Sequence, residues 1–252
     1  MLSGAGISTG SGIPDYRDRD GKSKIKTPIQ YQEFMGSASF RQRYWARSFV
    51  GWQRFSKAAP NAAHRALAKL ESDGKIDTLI TQNVDGLHRK AGSRRVIDLH
   101  GNLGQVTCQQ CGRRESRIAY QQQLQDANPD WHARVFRFNP DGDADVAESS
   151  LESFVVPACD YCGGIIKPDV VMFGENVPRE RVTAATAAVD RSDALLIIGS
   201  SLMVYSGFRF ARLAAELRKP IVLVNQGRTR ADDLAELKLD DDCVRVLSGI
   251  AA

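Results

Sequence analysis

Two C-x-x-C pairs are the clearest sign of chemistry in this chain. Cys108 and Cys111 form the first pair, Cys159 and Cys162 form the second, and 47 residues (112 to 158) separate them. A glycine follows each pair, as a tight knuckle turn favours, and four thiolates on two knuckles can surround Zn²⁺ tetrahedrally. Because four sulfur ligands leave no open coordination position, the spacing predicts one structural zinc ion. Cys243 stands alone and is not expected to be a ligand.

A glycine-rich segment at residues 4–17 (GAGISTGSGIPDYR) is a second candidate for chemistry. A dinucleotide-binding loop has the pattern G-x-G-x-x-G after a buried strand. Here Thr9 stands where the third glycine is expected, and only Met1 to Ser3 precede the first glycine, so the launching strand is nearly absent. Taken alone, the segment predicts a phosphate-binding loop and a plain turn equally well, and we expect either a late start site or a missing upstream segment.

Short apolar runs alternate with helical patterns through much of the chain. The predicted strands are 76–81, 95–99, 166–172, 194–198, 220–224 and 244–247, and the predicted helices are 61–73, 179–190, 208–218 and 230–237. Asn61 suits a helix N-cap, and Gly74 suits a helix end. Continuous apolar strands separated by helices are typical of a parallel sheet covered on both faces. The pattern predicts an α/β fold with a doubly wound (Rossmann-like) parallel sheet.

Two segments interrupt this alternation. Residues 18–60 mix aromatic and basic side chains and predict an inserted helical cap. Residues 105–166 carry the four cysteines within Gln-rich and Asp-rich stretches and predict a small zinc-binding module. Since a chain of 252 residues suits one main core with insertions, we expect a single domain over 1–252, whose Rossmann-like core is formed by residues 1–17, 61–104 and 167–252.

The composition excludes several classes of protein. The net charge of +4 is spread along the chain and not gathered in a basic tail, so nucleic acid is not expected as a partner. No apolar run reaches the roughly 18 residues that a membrane span needs, and the chain opens without a signal-peptide pattern. We expect a soluble cytoplasmic protein, or a protein of the mitochondrial matrix if it is eukaryotic and its N-terminus is incomplete. The oligomeric state is left open.

Several short motifs follow one another in a fixed order. They are the glycine-rich segment 4–17, TQNVDGLH at 81–88, LHG at 99–101, the four cysteines, KPDVVMFGE at 167–175, GSSL at 199–202 and VN at 224–225. This ordered series resembles the sirtuin family over essentially the whole chain. Finer features, such as YWAR at 44–47 and PDGD at 140–143, resemble the class II branch of that family.

The resemblance implies a function: NAD-dependent removal of acyl groups from protein lysine side chains, giving nicotinamide and 2′-O-acyl-ADP-ribose. It also implies which residues contact NAD. The implied contacts are Gly4, Ala5, Gly6, Asp15, Tyr16, Arg17, Gln82, Asn83, Val84, Asp85, Gly199, Ser200, Ser201, Asn225, Gln226, Gly227 and the main chain at Cys243. Glycine permits close backbone approach to the pyrophosphate, and an arginine supplies a charge-assisted donor.

The resemblance identifies His100 as the catalytic base, acting with Asn83 and Asp85 near the pocket from which nicotinamide leaves. An imidazole that titrates near neutral pH can accept a proton from the NAD ribose hydroxyl during turnover. His64 and His88 lie in predicted helices and are interpreted as structural histidines.

The same resemblance implies how an acyl-lysine substrate binds. The peptide is expected to add as an extended strand, held by main-chain hydrogen bonds. Its implied contacts are Val171, Phe173, Gly174, Glu175, Val204 and Tyr205. Tyr44 and Arg47, spaced i, i+3 on a predicted helix, resemble a pair that selects acidic acyl groups, which predicts a preference for negatively charged or long acyl groups over acetyl. The alternative is a buried tyrosine beside a surface arginine.

Three other functions remain open from the residues alone. Mono-ADP-ribosyl transfer to protein is possible within the family. A nicotinamide-dependent oxidoreductase is less favoured, because no ribose-binding carboxylate follows the second strand. A zinc-bearing nucleic-acid module would leave His100 and the 81–85 motif without a role.

Overall fold

The computed structural model describes residues 1–24, 28–139, 141–147 and 151–250. The chain divides into two compact units. The larger unit comprises Met1–Lys26, Ala58–His100 and Val177–Ala252, and the smaller unit comprises Thr27–Lys57 and Gly101–Asn176. Pro140, part of the PDGD motif, lies outside the described residues.

The regular elements alternate along the chain. The strands are β1 (Leu2–Ser3), β2 (Leu79–Thr81), β3 (Val96–Asp98), β4 (Gly101–Cys108), β5 (Arg114–Ser116), β6 (Val135–Phe138), β7 (Ala144–Val146), β8 (Ile166–Val170), β9 (Leu195–Ile198), β10 (Ile221–Val224) and β11 (Leu237–Leu239). The helices are α1 (Tyr31–Gly36), α2 (Ala38–Phe55), α3 (Ala62–Ser72), α4 (Leu87–Lys90), α5 (Arg117–Ala127), α6 (Arg179–Arg191), α7 (Tyr205–Glu216) and α8 (Cys243–Ile250).

The larger unit contains a six-stranded sheet in the order β11-β10-β9-β1-β2-β3. All of its neighbouring strands are parallel, and Leu2 of the two-residue strand β1 pairs with Ile80 on one side and Ile197 on the other. The strand order therefore reverses direction at β1. Open parallel sheets bind ligands in the crevice that such a reversal creates at the carboxyl ends of the strands.

Successive side chains of the central strands point to opposite faces of this sheet. Ile80 and Ile197 pack in one buried cluster with residues of α6 and α7. Leu79 and Ile198 pack in another with residues of α3 and α8. Helices therefore cover both faces, and the predicted doubly wound parallel fold is confirmed. Both predicted ends of α3 are confirmed too, because the Asn61 side chain accepts hydrogen bonds at the helix start and Gly74, with φ +72°, directly follows the C-cap residue Asp73.

The smaller unit contains two antiparallel sheets, one in the order β5-β4-β8 and one made by β6 and β7. Its core is aromatic: Trp45 and Tyr120 lie edge to face with centroids 4.7 Å apart, and Phe49 and Phe154 pack beside them. Arg117 is fully buried, with its guanidinium over the ring of Trp45. The aromatic and basic residues of the predicted cap thus form helices that share one core with the cysteine-bearing strands.

Three predicted elements are wrong. The 166–172 run forms β8, which pairs antiparallel with β4 and does not join the parallel sheet. The 244–247 run is the middle of helix α8, whose first turn is capped by the Asp242 side chain. The 230–237 segment forms a short 3-10 helix at Asp232–Leu234, followed by strand β11. A four-residue apolar run fits strand and helix equally well, and here Cys243 and Leu247, spaced i, i+4, are buried together in one cluster.

None of the helices in the described parts of the chain combines the length and the apolar character needed to cross a bilayer.

Candidate active site

The glycine-rich segment follows β1 directly and begins with a 3-10 helix at Ala5–Ser11. The amide of Gly6 donates to the carbonyl oxygen of Gly199, 2.8 Å away, in the loop after β9. A Cβ on Gly6 would lie 2.9 Å from the Cα of Gly199, and one on Gly4 would lie 2.7 Å from the Cβ of Ser200. These glycines allow the β1 and β9 loops to pack backbone against backbone at the reversal point of the sheet.

Gln82 and Asn83, directly after β2, join these loops. The Gln82 amide nitrogen donates to Ser200 Oγ at 2.8 Å and to the carbonyl oxygen of Ser3 at 3.2 Å. The Asn83 amide nitrogen donates to the carbonyl oxygen of Gly4 and to Ser8 Oγ, both at 3.1 Å. The structure therefore brings three of the predicted NAD-contacting segments, at the ends of β1, β2 and β9, into one hydrogen-bonded cluster.

Asp85 is held by the same cluster. Ser8 Oγ donates to its carboxylate at 2.7 Å, and the amide of Leu87 donates to its other oxygen at 2.8 Å. Burial raises the pKa of Asp85, although both hydrogen bonds oppose the rise. Ser8 was missed by sequence reasoning, although it lies inside the glycine-rich motif. Val84 connects Asn83 to Asp85 and is half-buried.

His100 lies at the end of β3 with hydrogen bonds at both ring nitrogens. Nδ1 is 3.0 Å from the carbonyl oxygen of Gln82, and Nε2 is 2.8 Å from Ser206 Oγ. A carbonyl oxygen only accepts hydrogen bonds, so Nδ1 carries the proton and the neutral ring offers the Nε2 lone pair. Burial lowers the pKa of His100, and Arg181 lowers it further, whereas the Gln82 carbonyl raises it. The ring is therefore held neutral, with an accepting nitrogen, as a general base requires.

The remaining predicted NAD contacts lie in nearby loops of the larger unit. Arg17 donates to the carbonyl oxygen of Gly21, and Asp15 forms an ion pair with Lys24. The Tyr16 carbonyl oxygen accepts from the Lys24 amide. The carbonyl oxygen of Arg19 accepts from the Arg228 amide, which joins this segment to the loop after β10.

The loop after β10 holds the residues predicted near adenosine. The Asn225 side chain donates to the Gln226 carbonyl oxygen, and the Gly227 amide donates to Asp240. Gly227 has φ +80°, and a Cβ there would lie 2.3 Å from a backbone oxygen, so only glycine fits. Ser201 accepts through its carbonyl oxygen from the Arg230 amide. Cys243 begins α8, with Sγ 3.7 Å from the Val224 carbonyl oxygen.

The predicted peptide-binding residues are partly exposed. Phe173 in the smaller unit is 43% exposed, and in the larger unit Val204 and Tyr205 are 41% and 49% exposed. Gly174 takes φ +77°, and Val171 is half-buried. Glu175 forms an ion pair with the buried Lys167 at 2.9 Å and accepts from the Met172 amide. This pair fixes the turn that carries Phe173.

Tyr44 and Arg47 do not form a free anion-binding pair. Tyr44 packs edge to face against Phe34 and Trp45 in the core of the smaller unit, and burial raises its pKa. Arg47 Nε lies 2.9 Å from the Asp143 carboxylate, and an Nη atom lies 2.6 Å from Asp145. Two carboxylates already neutralise this guanidinium, which argues against the predicted selection of acidic acyl groups.

The four cysteines converge in the smaller unit. All four sulfur atoms lie within 4.8 Å of one another, and Cys108–Cys162 and Cys111–Cys159 are separated by 3.5 and 3.9 Å. A tetrahedron with Zn–S bonds of about 2.3 Å has edges of about 3.8 Å, so the cluster fits Zn²⁺. The glycine after each pair closes its knuckle by donating to the carbonyl oxygen of the first cysteine.

Comparison with known proteins shows the family of this chain. Residues 4–206 match the model of the Sir2 family. An NAD-dependent protein deacetylase of Bordetella bronchiseptica is 55% identical over 252 residues, covering 100% of this chain and 92% of the relative. The mitochondrial NAD-dependent protein lipoamidase sirtuin-4 of Bos taurus is 50% identical over 250 residues, covering 98% and 79%. A solved structure described as Sir2 with p53 peptide and NAD+ is 34% identical, with a TM-score of 0.75 and coverage of 99% and 90%. The chain belongs to the Sir2 family.

Proposed function

We propose that this protein removes acyl groups from protein lysine side chains with NAD as co-substrate, giving nicotinamide and 2′-O-acyl-ADP-ribose. The observation that carries the proposal is His100, a neutral imidazole whose Nε2 accepts a hydrogen bond at the carboxyl edge of a parallel sheet. The deacetylase and lipoamidase names of relatives at 55% and 50% identity support it.

The residues at this edge suit a bound dinucleotide. The β1 and β9 loops meet at the reversal point of the sheet, where such sheets bind nucleotides. Neutral amide and hydroxyl groups of Gln82, Asn83 and Ser200 surround this point and can exchange their mutual hydrogen bonds for bonds to a ligand. Bound NAD supplies an electrophilic ribose carbon and a leaving group, nicotinamide.

Each polar side chain then has a role in the proposal. His100 Nε2 accepts a proton from the ribose hydroxyl, and the Gln82 carbonyl oxygen holds Nδ1–H so that the ring keeps its orientation. Asn83 and Asp85, fixed by Ser8, hold the nicotinamide group as it departs. The segments at residues 4–6, 15–17, 199–201 and 225–227, with Cys243, hold the pyrophosphate, ribose and adenine.

On the smaller unit, the proposed contacts of the acyl-lysine peptide are Val171, Phe173, Gly174 and Glu175, of which Phe173 is an exposed apolar residue. On the larger unit, the proposed contacts are the exposed residues Val204 and Tyr205. Because Arg47 is already paired with two aspartates, we infer that uncharged acyl groups are processed faster than succinyl or glutaryl groups.

NAD binding is assigned to the larger unit and structural zinc to the smaller one. The predicted cytoplasmic location is retained as part of the proposal, supported by thiols that suit a reducing compartment.

The test is mass spectrometry of a reaction that contains the zinc-loaded protein, NAD and a panel of acetyl-, lipoyl-, succinyl- and glutaryl-lysine peptides. We expect O-acyl-ADP-ribose from the uncharged acyl groups, and none from the His100→Ala variant. Label from NAD that appears on protein, with no acyl-ADP-ribose from any peptide, would instead support mono-ADP-ribosyl transfer.

A further inference from the structure

Helix α7 begins against the proposed base. Its second residue, Ser206, places Oγ 2.8 Å from His100 Nε2. The α7 N-terminus has no side-chain cap, so the Ser206 hydroxyl is directed to the imidazole and not to the backbone of its own helix. The resemblance to known sirtuins assigned the 204–207 segment, including Ser206, to peptide binding and implied no contact between Ser206 and His100.

The hydrogen bond at Nδ1 of His100 determines whether Nε2 donates to Ser206 or accepts from it. Nδ1 must donate to the Gln82 carbonyl oxygen, so neutral Nε2 can only accept. Ser206 Oγ–H is therefore the donor. It occupies the same lone pair that must receive the substrate proton in the proposed deacylation.

The neighbouring residue fixes Ser206 in this place. A Cβ on Gly207 would lie 2.2 Å from the Gln82 side-chain oxygen and would have to displace the Gln82 amide group. Gln82 itself donates to Ser200 and to the Ser3 carbonyl oxygen. The Ser206–Gly207 pair thus packs the start of α7 against Gln82 and His100 together.

We propose that Ser206 is a positioning residue for His100: its hydroxyl binds Nε2 in the ligand-free protein, holds the ring with Nδ1 protonated, and turns away when the ribose hydroxyl takes its place. This role rests on the proposed deacylation. A donor on Nε2 stabilises the neutral ring, so its loss raises the His100 pKa. The other groups that act on this ring are the Gln82 carbonyl oxygen and the charge of Arg181 on α6.

The first test is ¹⁵N NMR titration of the histidine side chains in the ligand-free, zinc-loaded protein, with the His100 signals assigned by their loss in His100→Gln. We expect Ser206→Ala to raise the His100 midpoint by about 0.3 to 1 pH unit, which is a two- to tenfold change in the ionisation constant. Ser206→Thr, which keeps a hydroxyl, restores the wild-type midpoint. Ser192→Ala, which removes a hydroxyl at the end of α6 that bonds the Val189 carbonyl oxygen, leaves it unchanged.

The second test is the pH profile of kcat/KM for NAD. The acid limb of Ser206→Ala is expected to move to higher pH by the same amount as the NMR midpoint. An unchanged midpoint in Ser206→Ala, or an equal change in Ser192→Ala, would overturn the positioning role. A midpoint that moves in a folded protein with no acyl-lysine turnover would support the Ser206 contact and overturn the proposed function.

Discussion

The larger and smaller units keep polar side chains out of water in different ways. Around His100 the partners are neutral amides and hydroxyls, such as Gln82 and Ser206, which bond one another. In the smaller unit two largely buried cations are compensated by carboxylates: Arg47 is paired with two aspartates, and Lys167 with Glu175. Neutral hydrogen bonds can be exchanged for a ligand at little cost, whereas unpairing a buried charge costs several kcal/mol. The polar groups around His100 can therefore exchange partners for a ligand more easily than these ion pairs of the smaller unit can.

Zinc removal should have the largest effect. The four thiolates of the smaller unit lie within 4.8 Å, and without a metal their charges repel each other. Structural zinc contributes on the order of 10 kcal/mol to the folding of small sites. We expect a strong chelator, or Cys111→Ser, to unfold the smaller unit as followed by near-ultraviolet circular dichroism of its tryptophans.

Zinc content measured by atomic emission gives the control for that experiment. Cys243→Ser changes the fifth cysteine, which lies outside the cluster, and should keep one zinc per chain. Unchanged near-ultraviolet signal after complete metal loss would contradict the structural role of zinc.

The replacement of His100 by Ala should change activity without changing stability. A positioned general base contributes about 10²- to 10⁴-fold, and we expect a loss of acyl-lysine turnover in this range. His132→Ala, in an exposed loop of the smaller unit, is the matched control and should retain turnover. A His100→Ala variant that unfolds at much lower urea concentration would mean that this histidine belongs to the scaffold.

In contrast to the replacement of His100, disruption of the Lys167–Glu175 ion pair should change stability. The Lys167 side chain is only 6% exposed, so Lys167→Met leaves a carboxylate without its buried partner. We expect a loss of about 3 kcal/mol in the free energy of unfolding. The double variant Lys167→Met with Glu175→Gln should recover part of it, which a double-mutant cycle in urea measures. Independent, additive effects would contradict charge compensation at this site.

Arg47→Met separates the two roles discussed for Arg47. Because two aspartates neutralise the guanidinium, we expect the ratio of succinyl to acetyl turnover to change less than about threefold while stability falls by about 2 kcal/mol. Competing peptide substrates in one reaction measure the ratio directly. A large selective loss of succinyl turnover would restore the acyl-selecting interpretation of Tyr44 and Arg47.

The effect that is smallest at neutral pH concerns the two structural histidines of the larger unit. His64 and His88 pack with ring centroids 4.9 Å apart, and burial lowers their pKa values to about 4 and about 3. Both folded-state values lie below the unfolded value near 6.5, so this stability is complete above pH 6.5 and is lost as the pH falls toward 4 and 3. His88→Gln should flatten the decline of unfolding free energy between pH 6.5 and 4, as urea titrations at each pH would measure. An unchanged slope would mean that other groups control the acid sensitivity.

The features that could be predicted from the sequence are those that depend on local residue spacing or on the order of motifs. The cysteine knuckles follow from two C-x-x-C pairs, and the caps of α3 follow from Asn61 and Gly74. Prediction failed for elements decided by distant partners: β8 became antiparallel because β4 is its neighbour, and α8 formed where an apolar run predicted a strand.

The candidate active site likewise contains residues that motifs predict and residues that only long-range contacts reveal. Motif order pointed to His100, Gln82 and Asn83, and the structure brings them together. Ser206 and the pairing of Arg47 could not be predicted, because each depends on a contact across about 100 residues of sequence. The tautomer of His100 likewise depends on a backbone oxygen that no motif specifies.

The central claim is that His100 serves NAD-dependent deacylation, and the most direct measurement is the stoichiometry of products over time. With an acetyl- or lipoyl-lysine peptide and NAD labelled in the adenylate phosphate, the account predicts equal amounts of nicotinamide, free lysine peptide and labelled O-acyl-ADP-ribose, all lost together in His100→Ala. Deacylated peptide formed without nicotinamide, or in equal yield by the His100→Ala protein, would contradict it.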